Sequence, residues 1–224
     1  MAQKFAILAE IMKNMKIIDC HNHLFSEKGY LDRLITTMDQ LNIEQTCLSG
    51  LGPLFYCGTN EDVKEAFKKY PDRIIGAYWI RPGISEPTEI DTAYSDGFKM
   101  VKVTLPTKPY FDETFFSYWE KASEYHMPVL FHTGVVTTAI SAPQEKVNSW
   151  NMQPLMVEPI ANAFPKLNII IAHLGVHLNM DAAEVARMKP NVFIDLTGEP
   201  KGWRARVEKE GFENYLWWDG AFNK

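Results

Sequence analysis

The feature that most limits what this chain can fold into is a rhythm. Short apolar runs recur at intervals of about 25–30 residues, with one longer gap, and segments of helical pattern fall between them. Residues 16–23, 46–50, 74–80, 98–105, 128–133, 168–174 and 191–197 read as strands, and 215–219 reads as an eighth. Helical periodicity or capping residues mark 2–15, 31–41, 60–70, 88–95, 112–125, 154–164, 181–188 and 202–211. Asn60 and Asp112 are the expected caps of two of these. Strand, helix and strand in succession imply parallel pairing through crossover connections. Several runs, such as Ile169-Ile170-Ile171-Ala172, are apolar without alternation, as burial of both faces requires. Eight such units make an α/β chain of the (β/α)8 TIM-barrel class, one domain over residues 1–224. An open doubly wound sheet is the competing fold. No Gly-x-Gly-x-x-Gly follows a strand to support that fold's usual nucleotide role.

The two ends modify this expectation. Only five residues follow the eighth run, too few for a closing helix. The barrel is therefore expected to be distorted or incomplete, lacking the helix after strand eight. Residues 2–15 carry Phe5, Leu8, Met12 and Met15 on one stripe. They are expected to form an extra N-terminal helix that fills the vacant groove. In the competing reading a partner fills it.

Composition closes other routes. The formal net charge is -5 and no basic patch stands out, which argues against nucleic acid. No apolar run approaches the ~18 residues of a membrane span. Lys4, Glu10 and Lys13 interrupt the apolar residues at the amino terminus, so a signal-peptide core is missing. Cys20, Cys47 and Cys57 form neither a C-x-x-C nor an even set. A reducing, cytoplasmic setting is the expectation. The partners expected are a small-molecule substrate, no nucleic acid and no membrane, with a homo-oligomer left open.

The chemistry concentrates at strand ends. In Ile17-Ile18-Asp19-Cys20-His21-Asn22-His23, Asp19, His21 and His23 share one face of a strand, about 7 Å apart per two-residue step. Two imidazoles so placed can close on one divalent ion. The competing reading is a pair of polar histidines at a strand end. His132 ends the fifth run, His173 the sixth, and Asp219 the eighth. Barrel active sites lie at the carboxyl ends of the strands. Burying so many ionisable groups without a task would be costly. His126 and His177 lie off this pattern and read as surface residues.

These motifs resemble a known family. Ile18-Asp19-Cys20-His21-Asn22-His23, residues 97–102, 128–134, 164–175 and 191–198 are similar, in this order, to the amidohydrolase-related metal-dependent TIM-barrel enzymes. The branch they resemble is the one that includes aminocarboxymuconate semialdehyde decarboxylase. The resemblance implies that His21, His23, His132 and Asp219 bind one divalent metal, usually zinc, with manganese the other candidate. It implies that His173 is catalytic or faces the substrate, and that Asp219 also shuttles a proton. Two positions depart from the family pattern: Trp217-Trp218 precede Asp219, and Thr104 stands where a histidine is common. Lys102 shares the parity of Thr104. It is expected either to be carbamylated between two metals or, more simply, to pair as an ammonium with Asp19 or a substrate anion.

Arg81, Lys102 and Lys108 lie on or after strands three and four, and Phe55, Tyr56, Tyr110, Phe111 and Trp150 lie in loops at the same mouth. Cations beside aromatics suit a small, flat, carboxylate-bearing molecule. Loop aromatics that merely close a barrel are the competing reading. Arg81, Lys102, Tyr110 and Trp150 are the candidate substrate-binding residues. Three functions fit: a metal-dependent hydrolase of a small amide, ester or lactone, a non-oxidative decarboxylase or hydratase, and a non-catalytic metal- or ligand-binding barrel.

Overall fold

A computed structural model describes residues 16–136 and 147–198, together with 205 and 209. The expected N-terminal helix at 2–15, the helix at 202–211, strand eight and Asp219 lie outside the described residues. Seven strands are present among those described: β1 (Ile17–His23), β2 (Ile43–Ser49), β3 (Ile74–Ile80), β4 (Met100–Val103), β5 (Val129–Phe131), β6 (Ile169–Ile171) and β7 (Val192–Ile194). Each pairs in parallel with the next, in chain order, as successive crossover units require.

The sheet is apolar on both faces because each face meets a different core. Val101, Val103, Val129, Phe131, Ile169, Ile171 and Val192 pack outward under the helices. The alternate residues Cys47, Ala77, Met100 and Leu130 pack with Ala172 into a smaller inner cluster. Lys102 is two residues beyond Met100 and so shares its inner face. The sheet curls strongly. His21 on β1 lies 2.8 Å from Asp195, just past β7, although those two strands are not ladder neighbours.

The covering helices are α1 (Tyr30–Leu41), α2 (Asn60–Lys69), α3 (Glu89–Asp96), α4 (Phe116–Glu124), α5 (Glu158–Ala163) and α6 (Asn179–Met188). α3 stops at Gly97, whose φ of 100° only glycine adopts cheaply. Asp112 caps as expected, by accepting from the Thr114 N–H, but what it caps is a 3₁₀ turn leading into α4. α2 is capped by Thr59 rather than by Asn60. Thr59 and Asp62 form a reciprocal capping box. Asn60 is spent instead on the β3 edge, donating to the Trp79 carbonyl and accepting from its N–H.

The later strands are shorter than expected. β6 ends at Ile171, and residues Ala172–Leu178 form a 3₁₀ segment. His173 and Leu174 take φ of 60° and 48°. The chain therefore leaves the ladder early, and His173 sits on a left-handed turn rather than on a strand.

Candidate functional site

The ladder registers bring the strand ends to one rim. His23 pairs with Ser49, Ile80 with Val103, Val103 with Phe131, and Phe131 and Ile194 both with Ile171. His132 and Asp195 directly follow two of those residues, and His173 comes two after a third. Four histidines from β1 and from the ends of β5 and β6 thus converge. The His21 ring centroid lies 4.9 Å from those of both His23 and His173, and His132 lies 5.0 Å from His173.

Hydrogen bonds fix how these rings are turned. His21 Nδ1 is 2.8 Å from Asp195 Oδ2 and 2.9 Å from Thr197 Oγ1. His23 Nδ1 meets Ser49 Oγ at 2.9 Å, and that hydroxyl donates to the Asn22 carbonyl. His23 Nδ1 therefore carries its proton. The Nε2 atoms of His21 and His23 face each other at 3.2 Å. Lys102 Nζ is 2.9 Å from His21 Nε2. His132 Nδ1 is 3.2 Å from His173 Nε2, while His132 Nε2 is buried with no hydrogen-bond partner. Tyr110 is wholly buried and donates to the His132 carbonyl at 2.9 Å, which steadies the backbone under that ring.

The electrostatics keep these imidazoles neutral. Burial, reinforced by Lys102, lowers the His21 pKa and holds His23 well below the ordinary value. Burial and His173 do the same for His132. Burial and Lys102 bring His173 down to about 4. Lys102, itself only 1% exposed, is lowered by burial to about 7. Burial opposes charge on Asp195, yet the hydrogen bond from His21, the neighbouring histidines and the Thr197 hydroxyl hold its carboxyl well below the usual carboxylate range. It is an ionised carboxylate among neutral rings.

A cavity of about 370 Å³ opens over this cluster. His23, His132, His173, Lys102 and Thr104 supply polar lining, and Phe25, Leu51, Phe55, Val135 and Val136 supply apolar wall.

An amidohydrolase family profile matches residues 53–220, three quarters of the chain. The chain belongs to the amidohydrolase family. The match starts after β1, so the His-x-His lies ahead of it. Solved structures agree on the barrel fold. An uncharacterised TIM-barrel protein from Bordetella bronchiseptica superposes with a TM-score of 0.63 at 17% identity, covering 81% of this chain and 75% of that one. A probable 2-pyrone-4,6-dicarboxylic acid hydrolase from Acinetobacter baumannii, with citric acid bound, gives 0.58 at 17% identity over 82% and 71%. A 5-carboxyvanillate decarboxylase from Novosphingobium aromaticivorans, complexed with manganese and a nitrobenzoic acid, gives 0.55 at 17% over 73% and 66%. Among curated proteins there is no significant sequence match. Among the described residues of this amidohydrolase, no helix is long and apolar enough to cross a membrane.

The structure brings His21, His23, His132, His173 and Lys102 of the expected site residues together, and all of them but His21 line one cavity. It does not bring Arg81, Tyr110 or Trp150 to that cavity, and Asp219 lies outside the described residues. Tyr110 is sealed behind His132 and reaches no cavity surface. Trp150 is 68% exposed and does not line the cavity, and neither does Arg81. Lys102 meets His21 rather than Asp19, whose carboxylate instead accepts from the His21 N–H and from Thr46 and Asn22. His126 and His177 are exposed, as expected. Asp195, Thr197 and Ser49 were missed. For Asp195 the signal was present: it follows Val192-Phe193-Ile194 just as His132 follows Val129-Leu130-Phe131.

The donor set fits a divalent ion. With Nδ1 protonated on His21 and His23, two lone pairs oppose each other across 3.2 Å. That arrangement is repulsive without a cation between them or nearby, and among the described residues Lys102 supplies the only cationic donor on the cavity lining. Two nitrogens bound at the usual ~2.0–2.1 Å would sit at about such a separation. The orphaned His132 Nε2 needs a partner for the same reason. His21, His173 and Asp195 also have donor atoms within 4.8 Å of one another.

Proposed function

We propose that this amidohydrolase is a metal-dependent hydrolase of a small, carboxylate-bearing amide, ester or lactone. The observation that carries the reading is the set of three neutral imidazoles, His21, His23 and His132, of which His23 and His132 line a largely apolar cavity and His21 lies behind them with its Nε2 3.2 Å from that of His23. Their Nε2 atoms would hold one divalent ion, zinc first and manganese second, with Asp219 as the expected fourth ligand. Bound there, such an ion lowers the pKa of its water to about 7 and polarises a carbonyl. The protein's residues do the rest. Lys102 is the cavity's cation and meets the substrate's carboxylate. Phe25, Leu51 and Phe55 exclude bulk water and strengthen that contact. Asp219 takes the proton of the attacking water and passes it to the leaving group.

A second reading is a non-oxidative decarboxylase. It is favoured by the apolar walls, which suit an aromatic ring and leave a carboxylate poorly solvated. Incubating the purified protein with carboxylated aromatics and with lactones separates the two. Acid release without CO₂ supports the hydrolase, and CO₂ release replaces it with the decarboxylase. In either case Asp219→Asn should keep the fold and lose about 10²-fold or more in rate. A variant with full rate would remove Asp219 from the mechanism.

A further inference from the structure

Asp195 is the one buried carboxylate of the site among the described residues, and both of its oxygens are engaged. Oδ2 faces His21 Nδ1. Oδ1 accepts from the His173 N–H at 2.9 Å, from the Thr197 N–H at 3.0 Å and from the Thr197 hydroxyl. These contacts place protons by elimination. A carboxylate only accepts, so the single Thr197 hydroxyl proton goes to Asp195. The Thr197 oxygen then has only acceptor capacity left for His21 Nδ1 at 2.9 Å and His173 Nδ1 at 3.0 Å. Both rings must carry their proton on Nδ1. For His173 the Thr197 carbonyl, 3.3 Å from the same nitrogen, demands the same. His173 Nε2 is therefore a lone pair, and the group facing it, His132 Nδ1, must donate. The remaining nitrogen of His132, Nε2, is then a bare lone pair, and it is the buried atom without a partner.

We propose that Asp195 and Thr197 form a positioning unit that sets the tautomers of His21, His173 and, through His173, His132. The unit leaves the Nε2 lone pair of His21 facing His23 and Lys102, and that of His132 without a partner, beside the cavity that His23, Lys102 and His132 line. It rests on the metal reading above for its purpose, though not for its geometry. Asp195 acts through the imidazoles and is not a ligand. Placing an ion on the Nδ1 side would strip the carboxylate of its donors and displace the Thr197 hydroxyl from between the two rings. Carboxylates behind metal-ligating histidines fix tautomer and orientation in this way. The same unit explains the backbone of His173. Its φ of 60° is unfavourable for a residue with a Cβ, and its N–H is held there by Asp195.

The test uses the full chain with ¹⁵N-labelled imidazoles. There are six histidines, assigned by single substitutions. In metal-free wild type, long-range ¹H–¹⁵N spectra should show His21, His132 and His173 as Nδ1–H tautomers. In Asp195→Asn, the amide oxygen must serve the two backbone N–H groups, so its NH₂ faces His21 Nδ1. His21 should then move to the Nε2–H form. Zinc affinity, measured by competition with a chromophoric chelator, should fall by about 10–100-fold. Nε2–H tautomers for His21 or His132 in the wild type would overturn the proposal even if the variant does not fold. Loss of zinc affinity in Asp195→Asn with unchanged tautomers would also overturn it, because Asp195 would then be a direct ligand. A wild type with these tautomers that takes up no zinc would contradict the metal reading and leave the relay standing.

Discussion

The two sides of the described sheet deliver their side chains by different means. β1, β2 and β3 are seven residues long, and β5, β6 and β7 are three. On the long side the ladder does the aiming. His21 and His23 are strand residues whose rings meet at 4.9 Å, His23 in register with Ser49 and His21 within an irregular stretch of the ladder between Asp19 and Asn22. On the short side the ladder ends first. His132, His173 and Asp195 lie past their strands, and their directions come from hydrogen bonds to Tyr110, Thr197 and one another. A ladder fixes a side chain's face but not the rotation of its ring. For His21, His132 and His173 that rotation, and with it the identity of the protonated nitrogen, is set on the short side, while Ser49 of β2 sets it for His23. Packing stability and site geometry should therefore separate cleanly between neighbouring residues.

The largest contrast is expected at Phe131 and His132. Phe131 is fully buried against Tyr110 and Trp119. Phe131→Ala should cost about 3–5 kcal/mol in urea unfolding and leave the metal content of the folded fraction intact. His132→Ala, one residue on, should lose the metal while the metal-free variant keeps most of its stability. If the metal-free His132→Ala protein is as unstable as Phe131→Ala, the division between ladder and site fails.

Acidification should act next, and through the site. His173 is held at about 4 against an ordinary 6.5, and His21, His23 and His132 are also lowered. Above pH 6.5 these groups are neutral in both the folded and unfolded states. As pH falls below 6.5 the unfolded chain takes up protons first, so stability drops, and His173's share is complete only near pH 4. That share is at most ~3 kcal/mol. Chemical denaturation of metal-free protein from pH 7 to 4.5 measures it, and His173→Gln should flatten the curve. A flat wild-type profile would mean that the folded rings take up protons at the same pH as the unfolded chain, and so are not lowered.

The smallest effect belongs to the long side. Thr59→Ala removes one half of the capping box on α2 and should cost about 1 kcal/mol, with metal affinity unchanged. A change in metal affinity would show that α2 is coupled to the site.

The same contrast governs what could be read from the sequence. β3 carries the expected bounds, and the barrel order followed from apolar runs whose period and content allow little else. His21, His23, His132 and His173 were legible because strand ends share a rim. Thr59 was passed over for Asn60 because both cap well. The choice turned on Asn60 finding the Trp79 backbone, a tertiary event. Tyr110 and Trp150 were placed at the mouth because loop position says nothing of direction. One is buried behind His132 and the other points to solvent. Asp195 was legible as a strand-end carboxylate, but its task depends on His21, 174 residues away in sequence.

The central claim is that the Nε2 atoms of His21, His23 and His132 hold one divalent ion. Elemental analysis of the purified full chain, beside His21→Ala and His132→Ala, tests it most directly. The account predicts one zinc or manganese per wild-type chain and a near-empty site in both variants. Full stoichiometry in both variants, with the fold intact, would contradict it.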